Sequence, residues 1–387
     1  MKITKRFTNW LETRFCAPAY GGWVLGTIAI CYFGAAVNTM AGWLYVVSGV
    51  SMALLGVSAF LAPRSLSGLS IKRQPIPPVT AGQDLTIEVE IHNSTKRPAN
   101  LLQTTDILPF VLGKPVNQAI DAILPESSYR WLYYQPTKQR GVYRWHSVEL
   151  ASGAPWGLFW CRRSQEATAK AIVYPAILPL ASCPLVDEIG QEESLRGDPR
   201  GTPLQMASSG LVRSLRPYRI GDPTRLIHWK TSARYGELRV RELEIVTNGQ
   251  EIIIALDTSV TWQADQFEQA VIAAASLYFY AQKQKLQVQL WTASTGLVRG
   301  DRVILETLAA TNPQEESSTL PEKQPLIWLT QNSLTISTLP PGSRWVLWTN
   351  NTSSSTDNTL INRDYPGLTL DQEQDLQLQL QKPVTKL

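Results

Sequence analysis

The chain has 387 residues, 44% of them hydrophobic and 18% charged, with a formal net charge of +4. That length implies two or three domains, and the composition is that of a folded protein with ample material for cores, which excludes a disordered chain. So mild a bulk charge gives no argument for nucleic acid, and four scattered cysteines without Cys-x-x-Cys spacing speak against a disulfide framework or a zinc site.

From Phe15 to Pro63 no side chain is charged, a run of 49 residues. As one helix it would exceed twice the ~30 Å hydrocarbon core of a bilayer. Two spans fit better, about Tyr20–Val37 and Trp43–Leu61, turning at Asn38–Gly42. Backbone groups in lipid must be satisfied internally, which makes both spans helices. Trp23, Trp43 and Tyr45 fall near the ends, where amphipathic rings favour the interface. Lys2, Lys5, Arg6 and Arg14 precede the pair, Arg64, Lys72 and Arg73 follow it, and the turn has no charge, so both ends are expected on the cytoplasmic side. A cleaved leader is the rival reading; the second span would then act as a stop-transfer and leave the large domain cytoplasmic. Residues 1–66 are assigned to this hairpin.

Residues 67–178 read as β-rich. Leu85, Ile87, Val89 and Ile91 alternate with Thr86, Glu88, Glu90 and His92, the pattern of a half-buried strand. Tyr129, Trp131 and Tyr133 repeat the alternation, and Ile172–Tyr174 closes the region. Short strands separated by turn residues predict a small sandwich of immunoglobulin-like type.

The segment Gly210–Glu242 holds eight basic residues against three acids, so it alone carries more positive charge than the whole chain. Within it stand Leu215, Arg216, Tyr218, Gly221, Asp222, Arg225, Ile227, Trp229, Lys230, Ala233 and Arg234. This spacing closely resembles the signature of the domain of unknown function 58 family, bacterial membrane-anchored proteins usually found beside MoxR-type AAA+ ATPases. Gln139-Arg140-Gly141-Val142-Tyr143 is similar to that family's Arg-Arg-Gly-x-Tyr strand start. Ala154-Pro155-Trp156-Gly157-Leu158-Phe159 is similar to its Asp-Pro-Phe-Gly-Leu-Phe turn, with Ala in place of Asp. In both, turn glycines and aromatic core residues are the expected role.

Residues 251–350 change rhythm. Glu251–Leu256 is a nearly continuous apolar run, as a buried parallel strand requires. A helix follows over Ala264–Leu286, then a strand at Val288–Trp291, a helix at Asp301–Ala310 and a strand at Arg344–Trp348. The alternation predicts an α/β layer with a mainly parallel sheet. Asp257-Thr258-Ser259-Val260-Thr261 resembles the Asp-x-Ser-x-Ser start of a von Willebrand factor A-like metal site. The resemblance implies Asp257, Ser259 and Thr261 as oxygen ligands to Mg²⁺, a hard cation that retains waters. Such sites recruit further oxygens from later loops, and where that fold often offers an Asp after a later strand this chain has Trp348-Thr349-Asn350-Asn351. The alternative is that Asp257 and Ser259 cap the turn into the helix. Residues 351–387 read as a polar tail whose Leu/Gln alternation after Asp375 is either disordered or an added edge strand.

Three roles fit the signature in residues 179–250. Arg216, Arg219, Arg225 and Arg234 form a structural network with Asp222, Glu237 and Glu242, with Trp229 buried and Glu237–Glu244 edging the α/β sheet. Or Arg216, Tyr218, Gly221, Asp222, Arg225, Trp229, Lys230 and Arg234 present a docking surface, which by resemblance serves a MoxR-type AAA+ ATPase. Or the patch binds anions, as lipid headgroups or, less expected, nucleic acid. There is no phosphate-binding Gly-x-x-x-x-Gly-Lys-Ser/Thr, no Gly-x-Ser-x-Gly and no Gly-x-Gly-x-x-Gly, and His92, His146 and His228 are far apart. Taken with what the resemblance implies, the expectation is a non-catalytic adaptor or assembly factor, a multi-pass protein of the bacterial inner membrane with its large domain in the cytoplasm.

Overall fold

The structure, a computed structural model, describes residues 16–195, 212–218, 227, 229, 232–233, 237–243, 251–316, 325–349, 365–371 and 374–384. The chain divides into two compact units, Met1–Tyr174 and Pro175–Leu387.

The first unit opens with β1 (Ala17–Pro18) and two 20-residue helices, α1 (Tyr20–Thr39) and α2 (Gly42–Leu61). Both are long and apolar enough to cross a bilayer. The bend is tighter than the sequence pattern implied, because Met40 takes a left-handed conformation at the end of α1. Gly22, Ala29 and Ala36, seven residues apart, are the buried positions of α1; such small side chains allow close helix approach. Ser48 on α2 reaches across to donate a hydrogen bond to the Ala29 carbonyl at 2.9 Å. Outward-facing Trp23, Ile30, Phe33, Trp43, Val46, Val50 and Phe60 are exposed.

A short 3-10 helix, Ala62–Leu66, continues α2 directly into the β-strands. These are β2 (Leu69–Arg73), β3 (Val79–Thr80), β4 (Asp84–Asn93), β5 (Ala99–Asp106), β6 (Val116–Ile123), β7 (Ser128–Pro136), β8 (Gly141–Ser152) and β9 (Phe159–Tyr174). Strands β2, β4 and β7 form one antiparallel sheet, and β1, β9, β8, β5 and β6 form the other, with β3 added to β9. The predicted alternation is realised in β4, where Leu85, Ile87, Val89 and Ile91 are fully buried. Each such side chain contributes about 1.5–3 kcal/mol. They join Val148, Leu150, Ala171 and Val173 of the second sheet in a common core.

One polar cluster sits inside that core. Asp106, at the end of β5, is fully buried and pairs bidentately with Arg73 of β2, whose Nη2 donates to Oδ1 at 3.0 Å. Tyr133 of β7 donates to Oδ2 at 2.6 Å, and Trp145 of β8 to Oδ1 at 3.0 Å. Arg73 Nε also donates to the Ala167 carbonyl of β9 at 3.2 Å. Burial, then the adjacent carboxylate, raises the Tyr133 phenol well above its ordinary range. The cluster therefore ties both sheets together with every charge answered.

The body is also clamped to the helices. Ala17 and Pro18 pair with Trp160 and Phe159 of β9, and the Ala19 amide donates to the Leu158 carbonyl at 2.8 Å. A Cβ at Gly22 would lie 2.3 Å from that carbonyl oxygen, so only glycine permits this approach. One step along the same register Cys16 meets Cys161; burial, then that second thiol, pushes the Cys16 pKa up to about 12. The Ala154–Phe159 turn thus abuts the start of α1, a contact its turn-forming composition did not announce.

The second unit contains α3 (Pro184–Leu195), a two-stranded antiparallel ribbon of β10 (Val212–Pro217) and β11 (Arg239–Leu243), and a six-stranded sheet. The sheet comprises β12 (Glu251–Leu256), β13 (Gln287–Thr292), β14 (Gly296–Val298), β15 (Leu326–Thr330), β16 (Arg344–Trp348) and β17 (Gly367–Leu370), ordered β14-β13-β12-β15-β16-β17. All pairings are parallel except β13 with β14. Helices α4 (Ala264–Lys283), α5 (Asp301–Ala310) and α6 (Leu376–Leu380) and a 3-10 helix at Ser333–Thr338 complete the described elements. Ile252, Ile254 and Leu256 face the helices, whereas Ile253 and Ala255 face a separate cluster with Trp291, Trp328 and Trp345.

Two expectations change here. The edge strand comes from Gly367–Leu370, which continues the sheet inside the segment read as a polar tail. Its glycine is required, because a Cβ at Gly367 would lie 2.2 Å from the Trp345 ring. The Leu/Gln alternation beyond it is instead a short helix, capped by the Asp375 side chain accepting from the Gln377 amide at 2.9 Å.

Replacing Asp106 by Ala leaves Arg73 buried and uncompensated, for an expected loss of about 3–5 kcal/mol, whereas Tyr133→Phe should cost about 1 kcal/mol. Hydrogen exchange of the β4 amides in the detergent-solubilised chain measures both, and equal effects would refute a central role for the ion pair.

Candidate functional site

In the second unit the chain leaves β12 to build β13 on one side and then returns to build β15 on the other. Such a reversal opens a crevice at the carboxyl ends of the two central strands, the usual ligand position in open α/β sheets. Asp257 directly follows β12, and Thr330 ends β15.

Asp257 is almost fully buried. Its Oδ1 accepts from the Ser259 hydroxyl at 2.7 Å and its Oδ2 from the Thr330 hydroxyl at 2.8 Å. Its own amide donates to the Leu329 carbonyl at 2.9 Å, and the Trp262 indole donates to its carbonyl at 2.6 Å. The turn is stitched down further along. Thr258, also buried, accepts from the Ala293 amide at 3.0 Å through its hydroxyl and from the Glu315 amide at 3.0 Å through its carbonyl. Glu315 in turn accepts from the Ser294 hydroxyl at 2.6 Å.

Of the three residues singled out as oxygen ligands, Asp257 and Ser259 are brought together. Thr261 is not; its hydroxyl accepts from the Gln314 amide at 3.1 Å. The second hydroxyl on the carboxylate is that of Thr330, which sequence reasoning missed. The strand next to β12 is β15, so the loop facing Asp257 is Thr330-Gln331-Asn332 rather than the one after Trp348. The signal was present in Leu326–Thr330, an apolar run like Glu251–Leu256. Behind the turn, Gln331 and Gln266 hydrogen-bond to each other, and Gln266 also donates to the Thr349 carbonyl at 3.2 Å. Among the described residues no three His, Cys, Asp or Glu side chains gather as a metal-binding group.

Part of the basic signature is also described. Arg216 lies in β10 opposite Val240 of β11, and the Tyr218 amide donates to the Leu238 carbonyl at 2.8 Å. The segment Glu237–Glu244, expected to edge the α/β sheet, supplies β11, whose partner is β10. Ile227 is buried and bridges to Val240, while Trp229 is 65% exposed. The burial expected of Trp229 is therefore not found, since Ile227, two residues earlier, takes the interior position. Gly221, Asp222, Arg225, Lys230 and Arg234 lie outside the described residues.

Residues 214–319 match the family model described as "Protein of unknown function DUF58". That span joins the basic signature to the Asp257 turn and agrees with the family resemblance read from the sequence. The "Uncharacterized protein YeaD" of Bacillus subtilis (strain 168) is 26% identical over 202 residues, covering 51% of this chain. The chain spans about half the length of that curated relative, 48%. Among solved structures, the CARDB domain of the PF1109 protein from Pyrococcus furiosus is 11% identical with a TM-score of 0.19, covering 27% of this chain and 93% of its own. A β-glucosidase from Listeria innocua is 14% identical with a TM-score of 0.18, covering 28% of this chain and 16% of its own.

Removing the Asp257 carboxylate with Asp257→Ala leaves the buried Thr330 hydroxyl without its acceptor, for an expected destabilisation of about 1–3 kcal/mol. Ser259→Ala, at an exposed hydroxyl, should be close to neutral. Urea unfolding followed at the second unit's buried tryptophans compares them, and equal costs would mean that Thr330 does not depend on the carboxylate.

Proposed function

We propose, on the premise that this chain is a DUF58 protein, that it is a membrane-bound, non-catalytic adaptor or assembly factor working with a MoxR-type AAA+ ATPase. In this reading α1 and α2 span the bacterial inner membrane, the two-sheet body is an immunoglobulin-like sandwich, and the C-terminal unit is a von Willebrand factor A-like domain. Basic residues on both flanks of the hairpin and none in its turn support a cytoplasmic position for the domains. The observation that carries the reading is Trp229, an indole 65% exposed within a segment rich in arginine. Exposed Trp beside Arg is the composition of an interface hot spot, where one side chain contributes 2 kcal/mol or more, about a thirtyfold change in affinity.

The test is affinity purification of the intact chain from its own membranes, read by mass spectrometry, beside Trp229→Ala and Arg216→Glu. The expected result is an ATPase enriched with wild type and lost from both variants, whose melting temperatures stay at the wild-type value. Loss of binding together with loss of stability would favour a structural network instead, and absence of any ATPase would remove the adaptor reading.

A second reading is divalent-cation binding at the Asp257 turn, favoured by the clustering of one carboxylate and the Ser259 and Thr330 hydroxyls at the crevice. These are hard oxygen donors with a single charge, a set that suits Mg²⁺ retaining several waters. Bound there, Mg²⁺ would supply an open coordination position to an acidic group of a partner. Saturating Mg²⁺, at about a hundred times its dissociation constant, should stabilise wild type by about 2.7 kcal/mol and leave Asp257→Asn unmoved. An unshifted wild-type melting curve in Mg²⁺ ends this reading.

A further inference from the structure

We propose that the helix-facing end of the two-sheet body is a docking surface for anionic phospholipid headgroups, formed by Arg64, Lys96 and Arg97 and flanked by the apolar tips Leu124 and Trp156. This rests on the reading of α1 and α2 as membrane spans.

Backbone hydrogen bonds place these residues at one end. The 3-10 helix after α2 leads to Gly68, whose carbonyl accepts from the amide and hydroxyl of Ser94 at 2.9 and 2.8 Å. The next residue, Thr95, accepts the Glu126 amide at 3.2 Å, and Ser152 donates to the Asn100 carbonyl at 3.3 Å. Leu158, at the close of the Ala154–Phe159 turn, accepts the Ala19 amide just before α1 begins. The loops 94–98, 124–127 and 153–158 therefore all gather where the chain leaves and enters the helices.

The display is built rather than loose. Asn93, fully buried, donates through Nδ2 to the carbonyls of Arg97 at 2.8 Å, Ile123 at 3.2 Å and Leu124 at 3.2 Å. Its Oδ1 accepts from the amide and hydroxyl of Thr95 at 3.0 and 2.7 Å. One buried side chain thus locks the Lys96-Arg97 loop beside Leu124, leaving all three side chains exposed. Arg64 is exposed with its guanidinium 3.8 Å over the ring of Phe60, in the last turn of α2, where a span meets the headgroup layer. Trp156 is 52% exposed on the turn that abuts α1.

The chemistry selects the partner. Indole and leucine tips favour the interface, and cations beside them are attracted to a negatively charged leaflet by about fivefold in affinity for each Lys or Arg. Glu126 is the one acid within these three loops, and Glu149 on the adjoining strand is paired with Arg162 at 3.1 Å. The far end of the body carries similar residues, Phe110, Lys114 and Lys138. It is set apart by the length of β4, ten residues or about 33 Å, several Debye lengths at physiological salt. Those cations are beyond the reach of the same leaflet and serve as an internal control.

The full chain is reconstituted in nanodiscs of phosphatidylcholine with a minority of phosphatidylglycerol, and the lipids it retains are counted by native mass spectrometry. Wild type should retain phosphatidylglycerol above its bulk fraction, with the preference falling as salt rises. Lys96→Glu/Arg97→Glu should lose at least about tenfold of that preference, and the milder Lys96→Gln/Arg97→Gln should lose it in part, while Lys114→Glu/Lys138→Glu keeps it. No preference in wild type, or equal losses from both ends of the body, overturns the proposal. A chain that stays dissolved without detergent or lipid overturns the membrane reading itself, a result distinct from a bilayer-inserted chain that ignores headgroup charge.

Discussion

An ion pair with no access to water governs the first unit. Two charges removed from solvent cost several kcal/mol each, and Arg73 with Asp106 recovers this through a bidentate contact, a phenol, an indole and a backbone carbonyl. The five groups come from β2, β5, β7, β8 and β9, so the cluster is complete only when both sheets are in register. A one-residue slip of β4 against β2 or β7 would turn Leu85, Ile87, Val89 and Ile91 outward and move Arg73 or Tyr133 off the carboxylate. Apolar burial supplies most of the stability, and the buried charges make one arrangement of it far better than its neighbours.

The second unit is organised by a topological reversal instead of a buried pair. Because β13 and β15 flank β12, the carboxyl ends of three strands present Thr292, Asp257 and Thr330 along one edge. Hydroxyls and one carboxylate accumulate there, whereas the interiors of the two central strands, β12 and β15, carry only apolar side chains on both faces. That division between an inert sheet and a polar rim explains why the candidate site sits beside a core full of tryptophan without interrupting it.

Much of this was legible from local pattern. The helical hairpin is written in a charge-free run, β4 in its alternation, and β12, α5 and β16 in apolar runs and periodicity that match the observed bounds. What stayed hidden depends on neighbours distant in the chain. Thr330 becomes a partner of Asp257 only because β15 lies next to β12, an adjacency that no local window contains. Gly367 looks like a turn residue until the Trp345 ring lies against it. Trp229 and Ile227 are both apolar and two residues apart, and only the bridge to Val240 decides which goes inside. The Ala154–Phe159 turn likewise reads as punctuation, and its contact with Gly22 is a matter of assembly within the first unit.

That contact has a mechanical meaning. No long tether separates α2 from β2: a 3-10 helix of five residues and the turn Ser67–Gly68, held by Ser94, make the connection, and the strand pairing of Ala17 and Pro18 makes a second one from the other side. Held at two points, the body has little freedom to swing on its helices, and a tilt imposed on one is imposed on the other. Whatever load is applied to the body arrives at α1 and α2 as torque rather than being lost in slack.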